Sequence, residues 1–195
     1  MIRLAIVGDI GSGKSYVAKQ FGYPVFNADA EVAKLYRKSR KCHKKLKKIL
    51  PNYINSFPVK KFELSIAIME NQQNLKKIIK IVHPEVRSRM NNFIKKNRNK
   101  KFIVLDIPLL MENKINKKKD ILIFVDAKKK GINSRLKKRI NYNKKLIDNF
   151  RKIQKPLAFK KKLSTYIIKN DFKLLTIKKR VKLIKADIIN ERNST

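Results

Sequence analysis

Apolar residues in this chain fall into two patterns. Short, nearly continuous runs occur at Ile2–Val7, Pro24–Phe26, Phe102–Asp106, Ile121–Val125 and Tyr166–Ile168. Runs of this length, rich in Ile, Val, Leu and Phe, predict strands buried on both faces. Elsewhere the apolar positions recur at helical spacing. Lys14–Phe21 puts Val17, Ala18 and Phe21 on one face, and Lys173–Ile189 repeats apolar positions at Leu174, Leu175, Ile177, Val181 and Ile184. Each predicts an amphipathic helix. The polar tail Asn190–Thr195 is expected to fray. Strands alternating with helical runs predict an α/β fold with a five-stranded, mostly parallel sheet flanked by helices.

Two helical stretches interrupt this alternation. One, about 30–98, contains no strand pattern, and the other, about 128–163, is dense in Lys and Arg. The expected organisation is therefore a single domain: a core of about 1–29, 99–127 and 164–195, a helical substrate-side subdomain of about 30–98, and a lid of about 128–163 over phosphates. At 195 residues the chain is long enough for a substantial core.

Charge changes the picture less than its size suggests. Lys and Arg number 51 against 14 Asp and Glu, a formal net charge of +37. Such a balance by itself points to a nucleic acid or an anionic membrane. Here, however, the lysines are spread over nearly every helix, no aromatic-interleaved basic segment occurs, and tryptophan is absent. A chain-wide bias toward Lys, Asn and Ile that fills solvated faces is the favoured reading, with no obligatory nucleic acid. The single cysteine, Cys42, excludes an intrachain disulfide framework and fits a reducing compartment. Its neighbour His43 has no second pair to complete a metal site. The N-terminal run is a core strand rather than a leader, and no apolar stretch has the length of a membrane span. A soluble, cytoplasmic protein without a membrane partner is expected, as a monomer or weak homo-oligomer.

The candidate chemistry begins directly after the first strand. Gly8-Asp9-Ile10-Gly11-Ser12-Gly13-Lys14-Ser15 is a GxxxxGK[ST] loop holding three of the chain's five glycines. About one random chain in a hundred of this length would carry the pattern at ordinary glycine frequency, but this one sits between a strand and an amphipathic helix. In such loops backbone N–H groups form a nest for the α- and β-phosphates at a helix start, the lysine reaches the β- and γ-phosphates, and the hydroxyl ligates Mg2+.

Two carboxylates follow strands. Asp29, in Asn27-Ala28-Asp29, has two open readings: a base that orients a hydroxyl acceptor, or a cap on the next helix. Asp106 ends the third strand, where a carboxylate commonly holds Mg2+ through water.

Together these segments resemble the dephospho-CoA kinase family, P-loop kinases that transfer the γ-phosphoryl group of ATP to the ribose 3′-hydroxyl of dephospho-CoA. The likeness is carried by Gly8–Ser15, by Asn27-Ala28-Asp29, by Ile81-Val82-His83-Pro84-Glu85-Val86-Arg87, by Leu105-Asp106-Ile107-Pro108-Leu109-Leu110-Met111-Glu112, and by Arg135 and Arg139 followed by Gln154, Lys160 and Asn170. The resemblance implies a P-loop kinase fold with a helical substrate-binding insertion and a helical lid. It implies catalytic roles for Asp29, Lys14 and Arg139. It assigns ATP to Gly11, Ser12, Gly13, Lys14, Ser15, Tyr16, Arg135, Arg139 and Asn170, and the acceptor to Asp29, His83, Arg87, Pro108, Leu109 and Leu110. Mg2+ falls to Ser15 and Asp106. Arg135 and Arg139, four apart, are expected on one helix face.

The departures are local. Asn27 stands where the family has a first acid, Tyr16 where a small Thr is usual, Lys60 and Lys61 where an acidic-arginine pair is expected, and Thr165 where an Asp precedes the last strand. A kinase for another small metabolite and a nucleic-acid-dependent ATPase are the rival readings. The first shares the loop and lid but is expected to lack the PLLxE and HP segments; the second would exploit the charge excess and predicts salt-sensitive binding to DNA or RNA.

Overall fold

A computed structural model describes residues 1–140 and 142–193. In chain order its elements are β1 (Ile2–Gly8), α1 (Lys14–Gln20), β2 (Val25–Asn27), α2 (Ala28–Lys38), α3 (Arg40–Ile49), α4 (Lys61–Glu70), α5 (Gln72–Lys96), β3 (Phe102–Asp106), β4 (Ile121–Asp126), α6 (Lys129–Lys137), α7 (Lys144–Lys152), α8 (Leu157–Lys162), β5 (Tyr166–Lys169) and α9 (Leu174–Asn193). They divide into two compact units: residues 1–27, 97–142 and 154–195 form one, and residues 28–96 and 143–153 the other.

The first unit holds the five-stranded sheet, in the order β2-β3-β1-β4-β5, with every pairing parallel. Each predicted strand forms, and each ends within a residue or so of its apolar run. The reason is the one the pattern anticipates: β3 is buried at every position and β1 at all but Arg3, as strands covered on both faces must be. On one face Val17, Ala18 and Phe21 of α1 and Ile177, Val181, Ile184 and Ile188 of α9 pack onto Leu4, Ile6, Val104, Ile123 and Ile168. At the amino edge of β1, Arg3 grips Asp120 through two nitrogens, each 2.9 Å from a carboxylate oxygen, and Asp120 also accepts the Lys117 N–H at 2.9 Å. The tail departs from expectation. Asn190–Asn193 continue α9, because Ile188 is buried and anchors the preceding turn; Ser194 and Thr195 lie outside the described residues.

The second unit is helical. The long α5 packs α2, α3 and α4, and its core contains Leu35, Leu46, Ile54, Leu64, Ile78, Val82 and Met90. Pro84 lies inside α5 and has no N–H to offer the preceding turn, yet the helix runs on for twelve residues beyond it. Glu63 knits the connection from α3 to α4: its carboxylate accepts the N–H groups of Asn55 (3.3 Å) and Lys60 (3.3 Å) and the Ser56 hydroxyl (3.0 Å). α7 packs against α4, with the Asn149 amide donating to the Ile68 carbonyl at 3.4 Å. No helix among the described residues is long and apolar enough to cross a membrane.

Phe21, fully buried at the end of α1, fixes the phosphate-loop helix to the sheet. Phe21→Ala is expected to lower unfolding stability by about 3–5 kcal/mol and Phe21→Leu by under about 1.5 kcal/mol; urea-denaturation midpoints with unchanged slope would measure both.

Candidate functional site

All strands being parallel, their carboxyl ends lie on one edge of the sheet. β1 sits at the point where the chain changes from one side of the sheet to the other, and such a crevice is where open α/β sheets take their ligands. Gly8–Ser15 leaves β1 at this edge. Gly13 caps α1 in a left-handed conformation, φ 92° and ψ 20°, open to glycine and poor for other residues. A Cβ there would also run into the Asn170 amide nitrogen. Lys14 Nζ donates to the carbonyls of Gly8 (3.2 Å) and Asp9 (2.7 Å), lying back along the loop it belongs to.

Beside the loop, register brings three oxygen- or amide-bearing side chains together. Asn27 is opposite Asp106 in the β2–β3 ladder, and Asp106 is opposite Ile6 of β1. The Asn27 amide donates to Asp106 at 2.5 Å and reaches the Ser15 hydroxyl at 3.5 Å. Ser15 and Asp106, the two residues named for Mg2+, are thus linked through Asn27. A hydroxyl and one carboxylate are hard oxygen donors, the kind Mg2+ takes while keeping much of its water, so the residues fit the ion. Asp106 is 3% exposed, and its setting is built into the sheet. Among the described residues no group of three or more His, Cys, Asp or Glu is arranged to hold a metal; Cys42 is a buried thiol in α3.

After β3 the chain turns tightly. Ile115 donates to the Leu110 carbonyl at 3.0 Å and Asn113 to the Leu109 carbonyl at 3.1 Å, so Pro108–Lys114 forms a closed knob. Leu110 is buried in it, whereas Pro108 and Leu109 remain partly accessible. Glu112 at its far side meets Lys160 of α8: Nζ is 2.7 Å from Oε1, Lys160 is 1% exposed, and it also donates to Gln154 at 3.0 Å. The Lys155 N–H adds a bond to the same Glu112 oxygen at 2.8 Å. The Gln154, Lys160 and Glu112 positions, separated in sequence, are one buried polar cluster. Sequence reasoning had no signal for the burial, since Lys160 opens a run of three lysines.

Asn170 lies in the turn after β5. Its backbone N–H reaches the Asp126 carbonyl at 2.6 Å, its amide donates to the Ser12 carbonyl at 2.7 Å, and its Oδ1 accepts from Phe172 N–H at 2.8 Å. The side chain clamps the phosphate loop to the turn. Arg135 is in the last turn of α6, exposed, with its guanidinium 4.9 Å from the Phe172 ring centroid. Arg139 does not share its helix face. α6 ends at Lys137 with Lys138 as cap, and the Arg139 N–H bonds to the Leu136 carbonyl at 3.1 Å, three residues back, which tightens the chain out of the α-helix. Tyr16, on α1, is exposed.

The remaining predicted residues belong to the helical unit. Asp29 is the second residue of α2, inside its first turn and exposed, not at the capping position. His83 and Arg87 sit one turn apart on α5, the first half-buried and the second exposed. Burial, helped by the nearby Arg87 charge, holds the His83 imidazole below its usual range, so it is neutral at pH 7. Lys60 caps α4 and Lys61 opens it.

The family model and the similar curated proteins agree on a family. The family model of dephospho-CoA kinase matches residues 2–176. The dephospho-CoA kinase of Wolbachia sp. subsp. Brugia malayi is 33% identical over 170 residues, covering 85% of this chain and 87% of that protein. Among solved structures, TT1252 from Thermus thermophilus superposes with a TM-score of 0.73 at 26% identity, covering 95% of this chain and 97% of that one. The dephospho-CoA kinase from Campylobacter jejuni shares the fold, with a TM-score of 0.58 at 20% identity over 96% of this chain and 98% of that one.

Lys160→Met strands Glu112 in a buried site without its cation, and is expected to cost about 3–5 kcal/mol of stability; a loss below about 1 kcal/mol in urea unfolding would contradict a buried ion pair. For His83 the folded imidazole resists a proton that the unfolded chain accepts at about pH 6.5. Its contribution is complete above that pH and is lost as the pH falls through and below it. Between pH 7 and pH 5, His83→Gln is therefore expected to lose less stability than wild type, read from denaturation midpoints at each pH.

Proposed function

The chain belongs to the dephospho-CoA kinase family, and from that premise we propose how its own residues carry out the transfer of the γ-phosphoryl group of ATP to the ribose 3′-hydroxyl of dephospho-CoA, giving coenzyme A and ADP. It is a kinase, a phosphotransferase built on the P-loop fold. The observation that carries the reading is the coincidence of the family match over residues 2–176 with the grouping of Gly8–Ser15, Asn27, Asp106 and Asn170 at one sheet edge.

Backbone amides of Gly11, Ser12, Gly13, Lys14, Ser15 and Tyr16 hold the phosphates of ATP, and Lys14 exchanges its loop carbonyls for β- and γ-phosphate oxygens. Tyr16 packs over the nucleotide, and Asn170 fixes the turn beside it. Ser15 and Asp106 would hold magnesium, which when bound with ATP would neutralise charge on the phosphates. Asn27 orients Asp106 by its amide and, being unable to take a proton, leaves the base role to Asp29. Asp29 orients the acceptor hydroxyl and takes its proton as the oxygen attacks the γ-phosphorus in line; the bond to the ADP oxygen breaks on the opposite side. His83 and Arg87 hold the phosphates of dephospho-CoA, while Pro108 and Leu109 contact it and Leu110 packs their turn. Arg135 and Arg139 bring positive charge to the transferring group, where fixed cations act strongly because water is excluded.

On this reading the helical stretch of about 30–98 receives the acceptor, and the basic stretch of about 128–163 is the lid. The enzyme acts as a monomer or weak homo-oligomer in the cytoplasm. It needs no nucleic acid, and its positive field attracts polyanionic substrates.

ADP release coupled to dephospho-CoA tests the whole assignment. Turnover is expected with dephospho-CoA and Mg2+, and its absence in folded protein would sink it. Asp29→Asn is expected to lower kcat by about 10²–10⁴-fold; a variant as fast as wild type would remove Asp29 from the base role.

A further inference from the structure

Phe172 stands out among the side chains near the phosphate loop. Its φ is +66°, left-handed backbone that a bulky residue rarely adopts. The turn holds it there: Asn170 Oδ1 accepts the Phe172 N–H at 2.8 Å, and Asp171 accepts from Lys173 N at 3.0 Å and Thr176 Oγ1 at 2.9 Å. The ring is set against two glycines. A Cβ on Gly131 of α6 would lie 2.5 Å from Phe172 Cε2, and one on Gly13 of the loop would lie 3.8 Å from Cε1. Glycine is a poor residue for the interior of a helix. At position 131 its missing side chain is the space the ring occupies. One turn further along α6, the Arg135 guanidinium rests 4.9 Å from the ring centroid.

We propose that Phe172 is a positioning residue for nucleotide binding, its ring lodged in the gap left by Gly131 and holding Arg135 by its flat face. Stacking on an aromatic ring occupies the face of a guanidinium and leaves its in-plane N–H groups for oxygens. Arg135 is then pre-set for ATP phosphates, with little freedom left to lose on binding. Asn170 couples the arrangement to the loop, since the same amide that fixes Phe172 also donates to Ser12. The inference rests on the reading of Arg135 as an ATP ligand.

The test is steady-state kinetics on the full chain with ATP, Mg2+ and dephospho-CoA, alongside thermal melts. Phe172→Gly relieves the left-handed backbone, so it is expected to fold at least as well as wild type. Its KM for ATP should rise about three- to tenfold, with the KM for dephospho-CoA moving less than twofold. Gly131→Ala gives the same split by another route: it improves helix propensity while displacing the ring. Phe172→Trp, the only tryptophan such a chain would contain, keeps the aromatic face. It should hold the KM for ATP within twofold and change its emission on saturation with MgATP. An unchanged KM for ATP in Phe172→Gly overturns the proposal, as does an equal rise in both KM values or an emission indifferent to MgATP. Arg135→Ala separates the two layers. If it leaves the KM for ATP unchanged, the Arg135 reading fails and the proposal with it. If it raises that KM while Phe172→Gly does not, only the positioning role fails.

Discussion

The constraint on which the structure turns is the parallel alignment of all five strands about β1. A parallel sheet needs a crossover between neighbouring strands, and those crossovers cover both faces with helices and turns. Everything polar is then driven to the ends. Because the strands point the same way, Gly8, Asn27, Asp106, Asp126 and Lys169 all close their strands at one edge. The register does the fine placement. Asn27 opposite Asp106 puts an amide within hydrogen-bond reach of a carboxylate without any loop having to find it. A slip of one residue in β2 would turn the Asn27 side chain to the other face and break the link to Ser15 and Asp106.

The phosphate loop is held from outside as well as shaped by its own glycines. Asn170 comes from the far end of the chain, on the turn after the edge strand β5, and bonds the Ser12 carbonyl. Gly13 must lack a side chain for that amide to approach, so one residue satisfies both a backbone conformation and a long-range contact. The same economy applies to the turn after β3. Its knob is closed by its own backbone bonds, and it is fixed to the sheet unit by Glu112 and the buried Lys160. An ion pair of this kind adds little net stability over an apolar pair, but it fixes one geometry, since neither charge tolerates losing the other.

What the sequence made legible follows from this. The strands were readable because two-sided burial forces unbroken apolar runs, and the phosphate loop because its glycines are demanded by backbone geometry. Asp106 was readable as the residue ending such a run. The end of α6 was not. Lys137, Lys138 and Arg139 are all compatible with a helix, and what stops it is the Arg139 N–H turning to the Leu136 carbonyl. The buried Lys160 was hidden among Lys160, Lys161 and Lys162, which differ only in what they meet. Phe172 was hidden more thoroughly. A positive φ at phenylalanine contradicts local propensity, and it is stabilised by Asn170, Asp171 and Gly131 acting together. Asp29 was legible as a site candidate and ambiguous as a cap. The structure puts it in the first turn of α2, one residue after Ala28 opens the helix.

The acidic residues bear on the meaning of the charge excess. With only 14 carboxylates against 51 basic side chains, a chain whose composition had simply drifted would leave its few acids scattered on solvated faces. Many are instead engaged in specific bonds. Glu63 ties three groups before α4, Asp120 takes Arg3 in two bonds, Glu112 takes Lys160, Asp171 fastens the start of α9, and Asp106 accepts from Asn27. Lysines, by contrast, are exposed throughout α3 and α7, as are most of those in α9. Substituting a solvated face with lysine changes stability little, whereas losing a carboxylate that satisfies buried or backbone donors leaves them unpaired. The pattern is that of a basic bias free to act on the surface and stopped wherever a carboxylate has a bond to make. The positive field is thus a property of the surface, distinct from the discrete contacts that build the phosphate site.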